Sequence, residues 1–320
     1  LVSGGRDGKI NVYTVCTPPN RSGNAGRRRN SFQQKVNIGR SIEIAVSIDM
    51  LSADVICSEV RSVCMWDDGK KVLTGALSGE ILELSCVGAA SAVSAPEAAE
   101  GEEGEKVARV GDDVNGGPVL RSHWDKTKQP AVHGLCKLPA GGFLSCGSDG
   151  SVRQWQTGDE VQHKEVRRVV LESGCKSIAS SSTNIAVAMD GSIAKDKAGA
   201  VKIMAQEDFR TLADLKNASM HMNALSFSPD GNSLACAGSD NMVYVYSMGE
   251  DQTWTLKGSC TGHMCEVLHV DFSSDGQFLR SSDADEELIV WDLIINFGGL
   301  VTDPETLRPI QWASSTVPLT

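Results

Sequence analysis

The sequence predicts an all-β fold, a β-propeller of about seven four-stranded antiparallel blades. Three observations predict it. One short pattern recurs six times along the chain. Asp-Gly turns punctuate runs in which apolar and polar residues alternate. The length of 320 residues fits about seven repeats of ~40–45 residues each.

The recurring pattern is a pair of small residues, an Asp or Gly turn, and an alternating strand ending in a large apolar residue. It reads "SGGRDGKINVY" (3–13), "TGALSGEILEL" (74–84), "SCGSDGSVRQW" (145–155), "AKDKAGAVKIM" (194–204), "CAGSDNMVYVY" (236–246) and "RSSDADEELIVW" (280–291). Aligned on the terminal large residue, the sixth position before it is Asp7, Ser78, Asp149, Ala198, Asp240 and Asp285. An Asp at this place accepts backbone N–H groups and fixes a turn. From Ala198 to Asp240 to Asp285 the spacing is 42 and 45 residues, one blade each. Strand signals also repeat inside the blade. "NALSFSPDGNSLACAGSDNMVYVY" runs strand, Pro-Asp-Gly turn, strand, Asp turn, strand, and "VLHVDFSSDGQFLRSSDADEELIVWD" repeats that order.

The first two intervals, Asp7 to Ser78 and Ser78 to Asp149, are each 71 residues because each holds an insertion. Residues 17–35 are polar and basic; residues 88–106 are Ala-rich and acidic. Neither has strand or helix periodicity, so both are expected to be loop insertions. Residues 1–320 thus read as one propeller domain carrying two loops. The chain opens on Leu-Val-Ser-Gly-Gly with no initiator methionine, which reads as a piece of a larger protein. The propeller is either incomplete at its termini or closed by residues 1–13 pairing with 309–320, and some form of closure is expected because an open blade edge invites aggregation.

Composition narrows the function. The net charge of −11 disfavours nucleic acid and anionic membrane surfaces, which need a positive partner. No apolar run approaches the ~18–20 residues of a membrane helix. The 10 Cys residues do not follow the spacing of a secreted disulfide framework, and most lie in apolar runs. Buried reduced thiols of a cytosolic protein are the expectation.

Gly262-His263 followed by Trp291-Asp292 is the signature of the WD40 repeat. In such repeats a His, a Ser or Thr, the turn Asp and the Trp form a hydrogen-bonded set. His263, Asp285 and Trp291 are its expected members here, and Asp7, Asp149 and Asp240 are expected to fill the turn role in other blades. A residue that recurs once per blade reads as structural, whereas a catalytic group would occur once. Cys260, His263 and Cys265 form C-x₂-H-x-C, a possible set of three zinc ligands. His263 is already explained by the repeat and no fourth ligand stands at a standard spacing, so no metal and no cofactor is expected. His123, Asp125 and His133 lie close together in sequence, but there is no G-x-S-x-G elbow and no phosphate loop. The sequence therefore predicts no enzyme.

Residues 131–320 go beyond the generic repeat. "NALSFSPDGNSLACAGSDNMVYVYSM", "GSCTGHMCEVLHVDFSSDGQFLRSSDADEELIVWDL" and "IQWASSTVPLT" together resemble the echinoderm microtubule-associated protein-like family. "VHGLCKLPAGGFLSCGSDGSVRQW" also looks like a blade of that family. The specific element is Gln311-Trp312-Ala313, which in the family opens the next blade. The resemblance implies the second, atypical propeller of a joined pair, and a role on microtubules with binding of soluble tubulin. It assigns lattice attachment and any self-association to regions outside this chain. It also implies a cytoplasmic, cytoskeletal location, that of cilia or flagella included. Two other readings stand beside it: a WD40 adaptor in a ciliary or signalling complex, and a propeller hydrolase with titratable residues at its central channel.

Three arginines precede Ser31 in "RRRNS", a context that suits kinases favouring upstream Arg. A phosphate there would offset the loop's positive charge. Intact-mass analysis of protein from its native cells is expected to show the added phosphate; its complete absence at Ser31 removes the site.

Overall fold

The structure is a computed structural model. It describes, side chains included, residues 59–65, 71–83, 130–156, 164–191 and 199–314. Residues 2–4, 9–16, 41–49, 66, 84–85 and 107–109 are described by backbone pairing alone. Asp7, Ser31 and both insertions, 17–35 and 88–106, lie outside the described residues, as do His123 and Asp125.

The first sheet contains β1 (Val2–Gly4), β2 (Lys9–Cys16) and β3 (Ser41–Asp49). The second contains β4 (Val60–Trp66), β5 (Lys71–Ala76) and β6 (Ile81–Ser85). The short β7 (Val107–Arg109) joins the first sheet, parallel to β3. The third sheet is β8 (Val132–Lys137), β9 (Phe143–Gly147), β10 (Ser151–Gln156) and β11 (Lys164–Val170). The fourth is β12 (Cys175–Ser180), β13 (Asn184–Met189), β14 (Val201–Ala205) and β15 (Thr211–Leu215). The fifth is β16 (Met222–Phe227), β17 (Ser233–Gly238), β18 (Met242–Met248) and β19 (Trp254–Thr261). The sixth is β20 (Val267–Phe272), β21 (Phe278–Asp283), β22 (Leu288–Asp292) and β23 (Gly299–Leu300). Each of the last four is an antiparallel meander in sequence order, the blade of a propeller. Six sheets are formed among the described residues, against about seven expected.

The first strands β4, β8, β12, β16 and β20 pack against one another in that order, as the innermost strands around a propeller axis do. The core lies between the blades. Along β17, Leu234 and Cys236 pack on the fourth sheet with Ile203 and Val201, while Ala235 and Ala237 pack on the sixth with Val267 and Leu279. A strand sandwiched on both faces cannot afford polar alternation, which is why "SLACAG" and "NIAVAM" are nearly all apolar. Each large side chain buried in this way contributes about 1.5–3 kcal/mol.

One end of the blades is built by a repeated device. The turn between second and third strands places a residue in the left-handed region: Gly79, Gly150, Gly199, Asn241 and Glu286. These are the positions just after Ser78, Asp149, Ala198, Asp240 and Asp285. A backbone N–H in or beside the turn then bonds the carbonyl just ahead of the first strand, in five sheets: Leu77 to Glu59, Ser148 to Ala131, Asp190 to Gly174, Ser239 to His221 and Ala284 to Glu266. Immediately inside that bond, first and second strands slip register by one residue, again in five sheets. The slips fall at Val60/Ser62, Val132/Gly134, Cys175/Ser177, Met222/Ala224 and Val267/His269. We call this the hairpin end.

At the opposite end, Ser228 and Ser273 close the "SPDG" and "SSDG" turns. Each hydroxyl donates to the turn Asp, Asp230 or Asp275, and accepts the N–H of Ser233 or Phe278. Gly231 and Gly276 supply the positive φ expected of an Asp-Gly turn. After β23 comes the short helix α1 (Pro304–Leu307), capped by Asp303. Gln311-Trp312-Ala313 then runs antiparallel beside the end of β20, through the bonds Ser274 N–H to Gln311 O and Ala313 N–H to Phe272 O. The expected pairing of residues 1–13 with 309–320 is not seen among the described residues, where 311–313 lie beside the end of β20 and β2 pairs with β1 and β3; 315–320 lie outside the described residues.

Candidate functional site

The repeat signature folds into a closed hydrogen-bonded chain at the hairpin end of the sixth sheet. Trp291 Nε1 donates to Ser281 Oγ at 2.8 Å. Ser281 Oγ meets His263 Nε2 at 2.7 Å, and His263 Nδ1 meets Asp283 Oδ2 at 3.0 Å. A carboxylate can only accept, so the imidazole donates from Nδ1 to Asp283, and its Nε2 accepts a hydrogen bond from the Ser281 hydroxyl. The His263 ring also meets the Trp291 ring edge-on at 5.8 Å. All four residues are buried. The set ties the segment ahead of β20 to the middle strands β21 and β22.

The carboxylate of this set is Asp283, which corrects the expected Asp285. Asp283 further accepts the N–H groups of Asp285 at 3.1 Å and Glu287 at 2.9 Å. Burial acts to raise its pKa, but these backbone bonds and His263 outweigh it and hold the carboxyl below the usual range. Asp285 sits at the tip of the turn, where its carboxylate accepts the Cys265 thiol at 2.9 Å. That bond, first, pushes Cys265 up to about 11. Sequence alignment on the terminal Trp finds the turn position, and the carboxylate that reaches His263 comes two residues earlier. The third and fifth sheets carry Gly147 and Gly238 there and the fourth repeat carries Asp196, so the position gives no consistent signal.

The other turn carboxylates act locally. Asp149 accepts Ser151 N–H at 3.0 Å and its hydroxyl at 2.8 Å, and pairs with Arg153 at 3.3 Å. Asp240 accepts the Tyr244 hydroxyl at 2.8 Å and the Ser219 N–H at 3.3 Å. Burial, then Asp240, pushes Tyr244 up to about 12. In the third sheet Trp155 Nε1 donates to Ser145 Oγ at 2.9 Å, half of the set seen in the sixth.

The cysteines and His263 of the C-x₂-H-x-C segment do not converge. Cys260 packs in the core between the fifth and sixth sheets, Cys265 faces Asp285, and both ring nitrogens of His263 are engaged. Asp283 and Glu287 lie near His263, with ligand atoms within 4.8 Å of one another. The Nδ1 they face carries a proton, so a cation there would have to break the hydrogen-bonded chain. Ser281, His263 and Asp283 do reproduce the hydrogen-bond order of a nucleophilic triad. Ser281 is fully buried and already accepts the Trp291 N–H, so no substrate carbonyl can approach it.

A second polar junction joins the fifth and sixth sheets at the hairpin end. Ser239 Oγ donates to Glu266 Oε2 at 3.0 Å and accepts Asn223 Nδ2 at 3.0 Å. His221 Nε2 lies 2.9 Å from the same oxygen and must donate to it. Here the serine stands between the imidazole and the acid, so the histidine is not oriented as a base. Burial, then Lys176, lowers the His221 pKa, while Glu266 and Asp190 act the other way. Nothing in the sequence marked this junction, because its members come from the starts of β16 and β20 and from the turn after β17.

Comparison with known proteins follows the same lines. The family described as "Echinoderm microtubule-associated protein second beta-propeller" matches residues 132–320. The 77 kDa echinoderm microtubule-associated protein of Strongylocentrotus purpuratus is 34% identical over 185 residues, covering 57% of this chain and 26% of that protein. Echinoderm microtubule-associated protein-like 3 of Homo sapiens is 29% identical over 211 residues, 64% of this chain and 22% of its own length. Echinoderm microtubule-associated protein-like 1 of Rattus norvegicus is 29% identical over 203 residues, 63% and 23%. The matched part thus spans about a quarter of each of these curated relatives. Among the described residues no helix is long and apolar enough to cross a membrane.

Two outcomes are expected. Asp283→Ala strands the His263 and two backbone N–H groups and costs about 3 kcal/mol, whereas Asp285→Ala leaves the melting temperature near that of the parent. Thermal unfolding of both variants checks this, and equal losses would remove the assignment to Asp283. The second outcome concerns pH. Burial lowers the pKa of His221 and of His269 below the ordinary 6.5, so the unfolded chain takes protons that the native state refuses. Their contribution is present above 6.5 and is lost as the pH falls below it. The melting temperature therefore drops between pH 7.5 and 5.5, and His269→Gln has a shallower drop; an unchanged slope in that variant contradicts the account.

Proposed function

Because this chain belongs to the echinoderm microtubule-associated protein family, we propose that it is a non-catalytic, microtubule-associated propeller that binds tubulin. The observation that carries the reading is the family match over residues 132–320, the part that holds the four antiparallel four-stranded sheets. The hairpin end is the binding face in this reading. It gathers the loops ahead of each first strand and the turns between second and third strands, a rim of exposed and half-buried polar groups on a rigid frame. Exposed Met220 and Met264 lie on two of those loops and offer adaptable apolar contact.

The fully buried Ser281 weighs against the hydrolase reading, since the only Ser-His-Asp chain among the described residues is closed to substrate. The location that follows is the cytoplasmic cytoskeleton. Tubulin is acidic and this chain carries −11, so long-range attraction contributes nothing and the contact must be short-range and shape-matched.

Gel filtration of the chain with soluble tubulin, at low and at physiological salt, tests the proposal beside co-sedimentation with assembled microtubules. Co-elution with soluble tubulin that survives physiological salt is expected. Absence of binding in both assays overturns the tubulin reading and moves the weight to an adaptor for other proteins.

A further inference from the structure

The fifth and sixth sheets present one continuous surface at the hairpin end. Four segments make it: the loops 218–221 and 262–266 ahead of β16 and β20, and the turns 239–241 and 284–287 after β17 and β21. Hydrogen bonds join each segment to the next. The Ser219 N–H donates to Asp240 at 3.3 Å, and Asn241 Nδ2 donates to the Met264 carbonyl at 3.0 Å. Ser239 Oγ donates to Glu266 at 3.0 Å, and the Ala284 N–H donates to the Glu266 carbonyl at 3.0 Å. The Cys265 thiol donates to Asp285 at 2.9 Å. Side chains from the two blades therefore stand close together on one frame.

Two kinds of group stand out from this frame. The first is apolar. Met264 is 81% exposed and Met220 47%, on corresponding loops of successive blades, and Leu288 is 40% exposed where β22 begins. The second is acidic. Asp285, Glu286 and Glu287 are all exposed. The four segments contain no Lys or Arg. The ion pairs of the sixth sheet are His263 with Asp283 and Arg280 with Asp271, and among the described residues no Lys or Arg pairs with Asp285, Glu286 or Glu287. Two further carboxylates are not counted. Asp283 is engaged by His263 and two backbone N–H groups, and Glu266 by Ser239, with Lys176 in its field. Glu286 also holds the left-handed backbone, φ 64°, at the place where the sister turns carry Gly79, Gly150, Gly199 and Asn241. A carboxylate thus stands at the tip where glycine would be free of strain.

We infer that this sector of the hairpin end binds a basic segment of another protein, one in which a large apolar side chain stands between lysines or arginines. Charge complementarity selects the occupant. An exposed apolar patch marks an interaction site without naming the partner. Here the patch adjoins three exposed carboxylates with no cation of their own, so the partner must bring the cations. Ammonium or guanidinium groups donate to Glu286 and Glu287 in charge-assisted bonds, and the apolar side chain packs on the Met264 and Met220 thioethers, which adapt to its shape. The net charge of −11 favours the approach of such a segment and opposes an acidic one. The inference goes beyond the tubulin reading and does not rest on it, since an acidic partner is turned away from this sector.

Fluorescence anisotropy with the full chain and a labelled Lys-Lys-Leu-Lys-Lys-Leu-Lys-Lys peptide tests it. The parent is expected to bind, less tightly as salt rises. Glu286→Gly combined with Glu287→Gln is expected to weaken binding about tenfold at low salt. Met264→Ser changes a side chain that already lies in water, so the fold is kept, and binding is expected to weaken about threefold. Glu250→Gln, on the exposed turn between β18 and β19 at the opposite end, is expected to bind as the parent does. A peptide with Ser in place of both Leu is expected to bind more weakly than the original. The proposal is overturned by absence of binding to the parent, by unchanged binding in the Glu286, Glu287 double variant or in Met264→Ser, or by an equal loss in Glu250→Gln. Equal affinity for the Ser peptide also overturns it, since charge alone would then account for the contact.

Discussion

The second strands β5, β9, β13, β17 and β21 are buried on both faces, and the rest of the structure depends on that constraint. A blade has no core of its own. β17 serves the fourth sheet with Leu234 and Cys236 and the sixth with Ala235 and Ala237, so removing one blade would expose two others. Small and medium side chains are required where two sheets approach. A Cβ added at Gly134 would meet Cys146 Sγ and Ile178 at under 3 Å, which leaves no room even for Ala there. The buried thiols belong to the same requirement: burial pushes Cys136 and Cys260 up to about 12, so they pack as small apolar groups and not as nucleophiles.

Sheets stacked face to face must then be fixed along their length, or they slide. The two ends solve this differently. At one end Ser228 and Ser273 lock their own turns from within. At the hairpin end the lock runs from the turn to the residue ahead of the first strand, and the sixth sheet adds the His263, Ser281, Trp291 and Asp283 chain across it. Placing a polar chain inside a core is favourable only when every member is satisfied. Here each donor has an acceptor, and the chain acts as a staple between the incoming segment and the middle of the blade. Outside the turns, Trp312 performs a related task. Its ring covers Arg280 at 4.6 Å, and Arg280 forms a buried pair with Asp271 at 2.9 Å, to which Ser314 adds its hydroxyl.

The turns were the legible part of the sequence, because a left-handed residue restricts chemistry. Gly79, Gly150, Gly199 and Asn241 can adopt that conformation cheaply, and the small or acidic residue before each assists the turn. Alignment on the terminal aromatic therefore found the blades and their order. It could not find Asp283, since of the six repeats only the fourth, with Asp196, also carries a carboxylate at that position. The bulges were illegible for a different reason. A bulge is a property of pairing, and the skipped residues are Arg, His, Lys, Asn and Leu, with no common type for a pattern to detect. Gln311-Trp312-Ala313 was legible as a family element, but its place beside β20 follows from Arg280 and Asp271, distant in sequence from it.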